Sequence, residues 1–451
     1  MKRKRFLHAV IAIAVPVGLQ SMLQSSFAMI DQLMVGQLGS VAVAAVEVAG
    51  RPAFIYSVLV GAVSSIAGIM ISQYLGMKEQ DMADRSLSVN LAVAALLAAL
   101  FTILCLVFPE RIVGAYIGDD PEVLKAGTDY LVHIVWTYLP MGISSVLSVM
   151  IRCMDRAVCP LYAGISAAVV NTALNYVFIF GHFSFPALGV TGAAIASIIS
   201  QLVHLLLILA MFYRVRVRSR GKLYFSLSLG ADGFRNFLAM LLPVLINEFL
   251  WSLGQNVNTF IYGHLEKGDL ASMSMTGPIQ GLFMGALSGV SQAAGILIGK
   301  RLGAKEYEEA YQDSKKLIGY GFALSLVLSA LLLWMREPYT ALYRVEPSVR
   351  NTAAGLLSVF AILAPVKVAN MILGGGIVRT GGKTTYIMII DIIGTWLVGA
   401  PLGLITAFVF RLPIGWVYFI LSQEELVRFL LTLLVFRSRK WIRSLPQGSG
   451  I

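Results

Sequence analysis

Apolar runs of about 20 residues or more alternate with short polar connections along the whole chain. A helix of that length crosses the hydrocarbon core of a bilayer. Twelve such runs can be read, near 8–36, 44–75, 88–108, 124–150, 158–181, 190–213, 236–263, 270–299, 315–335, 350–377, 384–409 and 414–436. Period-two alternation is nowhere sustained, so a membrane β-barrel is not supported. The expected fold class is an all-α polytopic membrane protein with about 12 transmembrane helices.

The pattern repeats. An offset of 227 residues carries Pro16 onto Pro243, Val17 onto Val244, Gly36 onto Gly263 and Leu38 onto Leu265. Without a gap it then lays VSSIAGIMISQYLGMKE (63–79) over VSQAAGILIGKRLGAKE (290–306). Chance is a poor explanation over that length. Two homologous lobes of about six helices follow, each with the same topology, related by an axis along the membrane normal. The expected division is an N-lobe at 1–215, a basic cytoplasmic linker at 216–235 and a C-lobe at 236–451. Transporters built this way bind cargo near the midplane and expose it to each side in turn.

Composition agrees. Of 451 residues, 57% are hydrophobic and 13% charged, against roughly 25% charged in a soluble protein. The net charge of +11 does not indicate nucleic acid, because the bases sit in short loops between apolar runs. About 25 of them fall on the side that holds the N-terminal MKRKR and about seven on the other, which places both termini in the cytoplasm. Cys105, Cys153 and Cys159 form no CxxC or Cys/His cluster, and the five histidines are scattered, so no cofactor or structural metal is expected.

The candidate chemistry is charge inside the apolar runs. A charged side chain at the bilayer centre costs at least ~3 kcal/mol on insertion scales, so it is expected to face protein or a wetted cavity. Asp31 is such a residue, in PVGLQSMLQSSFAMIDQLMVGQLG. Gln20, Gln24 and Asp31 fall within about 40° of one another on a helix. Pro16 opens this segment and can kink it. Glu248 lies in the repeat partner, PVLINEFLWSLGQNVNTFIYG, beside Asn247, Trp251, Gln255 and Asn258, and Asp391 is a third acid, in helix 11. The repeat sets Asn258 opposite Asp31 and Ser21 opposite Glu248, so the halves have diverged in charge. One half can handle a coupling ion and the other a substrate.

Glu47 and Arg51 are spaced for a local i,i+4 ion pair. Lys367 and Arg428 are expected to snorkel or to pair with Glu424 or Glu425. In NTALNYVFIFG, Asn171 and Asn175 share one helix face. A carboxylate with amide oxygens suits a dehydrated Na⁺, which takes oxygen ligands. The same carboxylate can instead carry a proton, and the asparagines can simply bond neighbouring helices.

Taken together, the duplicated plan, Pro16 with MIDQLMVGQLG, VNTALNYVFIFG followed by ALGVTGAAIAS, LPVLINEFLW, the paired LGMKE and LGAKE, IVRTGG and WLVGAPLG resemble the MATE (multidrug and toxic compound extrusion) family. The resemblance covers nearly the whole chain. It implies a secondary active antiporter of the plasma (inner) membrane, not an enzyme. Organic, often cationic amphipathic compounds would leave as Na⁺ or H⁺ enters, with a monomer sufficing and no nucleic acid involved. Asp31 matches the family's helix 1 aspartate, whose occupancy is linked to bending at the proline, here Pro16. Asn171, Asn175 and Ser197 match the N-lobe cation site, so Na⁺ at Asp31, Asn171 and Asn175 is the implied alternative to a proton. Some members carry an acid where Asn175 stands. Glu248 matches a C-lobe glutamate of one branch, whose helix 10 aspartate is missing here near Lys367 and Val368, with Asp391 as the replacement charge. Trp251 would attract cations through its ring. The competing reading is a lipid-linked oligosaccharide flippase of the same superfamily, disfavoured because intramembrane bases are few. Catalytic constellations such as HExxH or GxSxG are not found.

Overall fold

A computed structural model describes residues 3–117, 120–218, 226, 230–266, 268–343 and 345–446. In chain order its helices are α1 (Arg3–Gly36), α2 (Ser40–Ala49), α3 (Arg51–Gly76), α4 (Gln80–Val107), α5 (Pro109–Gly114), α6 (Pro121–Ile134), α7 (Tyr138–Cys153), α8 (Val158–Phe180) and α9 (Gly189–Arg218). The second half continues with α10 (Gly230–Gly263), α11 (Asp269–Gly303), α12 (Tyr307–Thr340), α13 (Pro347–Asn370), α14 (Thr384–Ile392), α15 (Ala400–Leu404), α16 (Ile414–Leu421) and α17 (Glu424–Arg437). No strand occurs among the described residues. Three π-helical stretches, Met371–Val378, Ile393–Gly399 and Ile405–Val409, extend α13, α14 and α15.

Eleven helices among the described residues are long and apolar enough to cross a membrane. The expected all-helical polytopic class therefore holds. Two expected spans are compound: α2 and α3 run on as Ser40–Gly76, and α6 and α7 as Pro121–Cys153. The twelfth run, 414–436, is two helices that meet at Ser422 and Gln423, and Glu424 and Glu425 open the second. The helices wear their apolar side chains outward. Leu96, Leu206, Trp334 and Leu397 are 65–76% exposed, whereas Gln73, Asn90 and Ser325 are fully buried. Lipid selects this arrangement: it solvates leucine well and leaves polar groups to find partners inside the protein.

By packing, the described chain forms two units. One comprises Met1–Gly18, Ser72–Glu79 and Arg235–Ile451, the other Leu19–Ile71 and Gln80–Phe234. The division passes through α1 just beyond Pro16. In the first unit, α1 lies close on α11. A Cβ on Gly289 would overlap the Ala14 carbonyl oxygen, and one on Gly18 would come within 2.6 Å of the Ala286 oxygen.

The paired LG motifs have a structural reason. A Cβ on Gly76 would overlap the Lys300 carbonyl oxygen, and one on Gly303 would overlap that of Gln73. The offset of 227 exchanges these two contacts, since it carries Gln73 onto Lys300 and Gly76 onto Gly303. The end of α3 and the end of α11 thus cross with local two-fold symmetry, at backbone contact that only glycine permits.

Half of the basic linker is outside the described residues, which omit 219–225 and 227–229 and with them Arg220 and Lys222. Arg216, expected in that loop, lies on α9 and is buried in an ion pair with Asp84.

Candidate functional site

The unit that holds Leu19–Ile71 and Gln80–Phe234 encloses a cavity of about 460 Å³. Asp31, Asn175, Ser197, Tyr130, Glu47 and Arg51 are among its lining residues. α8 brings Asn171 and Asn175 to one buried face, because their i,i+4 spacing stacks them one turn apart. α9 supplies Ser197 and Ser200 from the other strand of a tight helical hairpin, where Gly181 takes φ +74°. A side chain at Gly192 would come within 2.6 Å of the Phe178 oxygen, so the two helices meet there backbone to backbone.

Asn175 Nδ2 donates to Asp31 Oδ1 at 2.7 Å. Asn171 sets one end of its amide 2.8 and 3.0 Å from the two Asp31 oxygens, and the other 3.4 and 3.3 Å from the hydroxyls of Ser197 and Ser200. Facing a carboxylate, the NH₂ belongs on the Asp31 side, since two acceptors at that distance would repel. Asn175 Oδ1 is buried beside this cluster with no hydrogen-bond partner among the described residues. Asp31 itself makes no ion pair among them. Arg51, which lines the same cavity, is held by Glu47 at 2.7 Å, the local pair expected from spacing. The site is a carboxylate served by neutral amides, with an acceptor oxygen to spare.

The other unit holds a second cavity, of about 400 Å³. Glu248, Asn247, Trp251, Gln255 and Asp391 all line it. Asn247 Nδ2 donates to Asp391 Oδ2 at 2.8 Å. Here every carboxylate has a cation. Arg428 reaches Asp391 at 3.7 Å, Glu424 at 3.5 Å and Glu425 at 3.8 Å, and it bonds the Thr395 hydroxyl. Arg379 stands 3.9 Å from Glu248, and Lys367 4.0 Å from Glu425. Asn370 ties Glu425 from α13 at 2.8 Å. The structure sets Glu248 and Asp391 in one polar hollow and pairs Lys367 with Glu425 and Arg428 with both Glu424 and Glu425.

Two expectations need correction. Arg379 lies just past the expected run 350–377, where a base counts as a loop residue, but the span continues from Pro347 to Gly381, and the guanidinium is 14% exposed in this cavity. Gln20 shares a face with Asp31 but not its site. Eleven residues separate them along α1, roughly 16 Å, and Gln20 is buried against Arg152, whose Nη2 donates to it at 2.9 Å. Gln24 is exposed and, like Gln20, is not among the residues that line the Asp31 cavity. Asn258, the repeat partner of Asp31, lines a separate cavity of about 250 Å³ with Gln255 and Tyr418.

A duplicated bundle of apolar helices with carboxylates in polar hollows defines a multi-pass membrane transporter rather than a soluble or structural protein. The family is specific. The MatE family model matches residues 16–177 and again 243–405, each match starting at one of the two repeated prolines. The chain belongs to the MATE transporter family. It is 24% identical over 428 residues to the uncharacterized transporter YisQ of Bacillus subtilis, covering 92% of this chain and 90% of that one. It is 26% identical over 430 residues to the probable multidrug resistance protein NorM of Rhizobium meliloti, covering 93% and 91%. Its fold matches a crystal structure of MATE in complex with MaL6 at a TM-score of 0.86 and 18% identity, over 96% of this chain and 95% of that one.

Proposed function

We propose that this transporter is a Na⁺- or H⁺-coupled antiporter that exports organic, often cationic amphipathic compounds across the plasma (inner) membrane. Both termini would be cytoplasmic and a monomer would suffice. The observation that carries this reading is Asp31, a carboxylate in a wettable cavity with amide partners and no ion pair among the described residues. A proton or a Na⁺ supplies what the cluster lacks. The unpartnered Asn175 Oδ1 is a ready ligand for Na⁺, with Asp31 and the turned amide oxygen of Asn171. With a proton on Asp31, the same Asn171 oxygen accepts the new O–H. Ser197 and Ser200 steady either orientation through their hydroxyls.

Neutralising Asp31 changes the cost of holding α1 in a given shape, and so shifts the balance between outward- and inward-open states. Pro16, where an i→i−4 hydrogen bond is missing, is where α1 bends most cheaply. Organic cations would be drawn to Glu248, Asp391 and the Trp251 ring in the second cavity. The NorM relatives, described as probable multidrug resistance proteins, support this substrate class.

One feature favours the flippase reading. Lys367, Arg379 and Arg428 all line the second cavity, more intramembrane bases than the sequence suggests. Four carboxylates line it too, which leaves it short of the net positive charge an anionic lipid-linked cargo needs.

The test is transport of a fluorescent organic cation in proteoliposomes, with Na⁺ and pH gradients imposed separately. One gradient should drive uptake against the substrate gradient, and Asp31→Asn should abolish that drive. Undiminished coupling in Asp31→Asn, or transport driven by neither ion, rejects the reading. Preferential binding of lipid phosphates over organic cations would favour the flippase.

A further inference from the structure

Lys305, Lys383 and Arg443 line one cavity of about 570 Å³ in the unit that holds Arg235–Ile451. They come from three separate places: the turn after α11, the residue before α14 and the segment after α17. No carboxylate lines this cavity among the described residues. Its other polar side chains are Asn236, Thr385 and Ser444. None of the three cations has an ion pair among the described residues. No side chain caps the first turn of α14, which opens at Thr384. Its orphan N–H groups therefore add positive potential at the same spot.

The segment that carries Arg443 is fastened on both sides of it. Trp441 is fully buried, stacks on Phe436 and donates its indole N–H to the Phe436 oxygen at 3.1 Å. A Cβ on Gly381 would overlap the Trp441 oxygen, so the segment lies directly against the turn before α14. Beyond Arg443, the Leu445 N–H donates to Gln73 Oε1 at 2.7 Å, and the Ser444 hydroxyl is 3.0 Å from that of Tyr307. Arg443 is therefore positioned and not trailing.

The repeat shows what is missing. The offset of 227 carries Lys78 onto Lys305, Arg156 onto Lys383 and Arg216 onto Arg443. In the first half Arg216 is buried in an ion pair with Asp84. The same offset puts Tyr311 where Asp84 stands. Burial follows the register, since Ala83, Asp84, Ser86 and Leu87 are buried, as are Ala310, Tyr311, Asp313 and Ser314. Asp313 is no substitute, because it is held by Arg301 and Lys316. Lys305, Lys383 and Arg443 thus border an open cavity, with no described carboxylate placed as Asp84 is placed for Arg216.

We propose that Lys305, Lys383 and Arg443 form a binding site for a phosphate-bearing anion. Three uncompensated cations repel one another, and a phosphate among them relieves that repulsion with charge-assisted hydrogen bonds. The same chemistry is offered by the headgroup of an anionic phospholipid and by free phosphate. α14 starts a membrane span, which sets the cavity at the level of the headgroups.

The experiment is thermal unfolding of the full chain in phosphatidylcholine nanodiscs, with phosphatidylglycerol added or with inorganic phosphate added at matched ionic strength. Ligand present well above its dissociation constant should raise Tm by about 3–5 °C in the unaltered chain. The triple variant K305Q/K383Q/R443Q should lose more than half of that rise. K305R/K383R should keep it, and so should R5Q/R437Q/K440Q, which removes three bases elsewhere. A response to phosphatidylglycerol alone names the lipid, and a response to phosphate alone names the soluble anion; either supports the site. No response to either, or equal loss in both triple variants, overturns it. If the first triple variant does not fold, the single variant K383Q is compared by native mass spectrometry. Unchanged retention of phosphatidylglycerol and phosphate in K383Q would overturn the site as well.

Discussion

The two intramembrane cavities solve the same physical problem in opposite ways. In the first half, one carboxylate, Asp31, is met by the amides of Asn175 and Asn171 and has no ion pair among the described residues. In the second half, Glu248, Asp391, Glu424 and Glu425 are met within 4.0 Å by Arg379, Arg428 and Lys367. A carboxylate served by amides still has a net charge for a mobile cation to cancel. A carboxylate beside a guanidinium carries its cation with it. Under the proposed function, the difference would give the ion-exchange task to the first cavity and leave the second with fixed charge that attracts cargo without needing an ion of its own. The backbone differs as well. Among the described residues, all three π-helical stretches lie in the second half, and Met371, Gly374 and Gly375 of the first of them line its cavity. Such widened turns concentrate at functional sites.

The sharpest test of this contrast is Asp31→Asn, which keeps shape and removes charge. Ion-driven export should fall by about 100-fold, the equivalent of losing a coupling free energy of about 3 kcal/mol between ion and substrate. Its stability should not fall, because no cation is stranded by the change. Arg428→Met should do the reverse. It leaves Asp391, Glu424 and Glu425 without their shared counterion, and orphaning a buried charge costs about 3–5 kcal/mol. Thermal unfolding should show that loss, and R428K should restore part of it. If Arg428→Met left Tm unchanged while Asp31→Asn lowered it, the contrast would be the wrong way round.

The first site was readable in the sequence because its members stand out against apolar surroundings. Asp31 is a lone acid in a long apolar run, and Asn171 and Asn175 announce a shared face by spacing alone. The repeat likewise exposed the LG pairs, whose backbone contact the structure explains. The second site was only half readable. Glu248 and Asp391 are conspicuous, but Arg379 sits at a helix end, where a base reads as topology. Glu424 and Glu425 sit where the last span breaks. Arg216 and Arg152 were hidden for the same reason: a loop-counting rule assigns bases to the aqueous side, yet these two find buried partners, Asp84 and Gln20. Only pairing across helices reveals them, and spacing along one helix cannot. The stretch MILGGGIV carried a faint signal, three glycines in an otherwise good helix, for the π-helical widening there.

A middle-sized effect is expected from Asn175→Ala. It deletes the 2.7 Å donor to Asp31 and the spare acceptor oxygen together. A hydrogen bond or ligand contact to a charged group contributes about 1.5–3 kcal/mol, so the lost oxygen ligand should weaken apparent Na⁺ affinity by about 10-fold or more, whereas a proton, which competes with the deleted donor for Asp31, should bind no more weakly. Maximal export at saturating gradient should survive, because Asp31 remains. Dose–response curves for Na⁺ and for H⁺ in the proteoliposome assay separate the two quantities. An unchanged curve for both ions would remove Asn175 from the site and leave it a helix-packing residue.

The smallest effect should come from Arg51, the base that could still spoil the contrast. It lines the Asp31 cavity but is bound to Glu47, and both side chains are more than half exposed. An exposed i,i+4 pair contributes about 0.3–0.5 kcal/mol, so a double-mutant cycle of Glu47→Gln and Arg51→Gln should return a coupling of that size in stability. The affinity for the driving ion should stay within about twofold in Arg51→Gln, as expected for a charge screened by its own partner and by water. If Arg51→Gln instead shifted that affinity as far as Asn175→Ala does, Arg51 would be serving Asp31. The first cavity would then hold an internal cation after all, and the division of labour between the two halves would have to be drawn on other grounds.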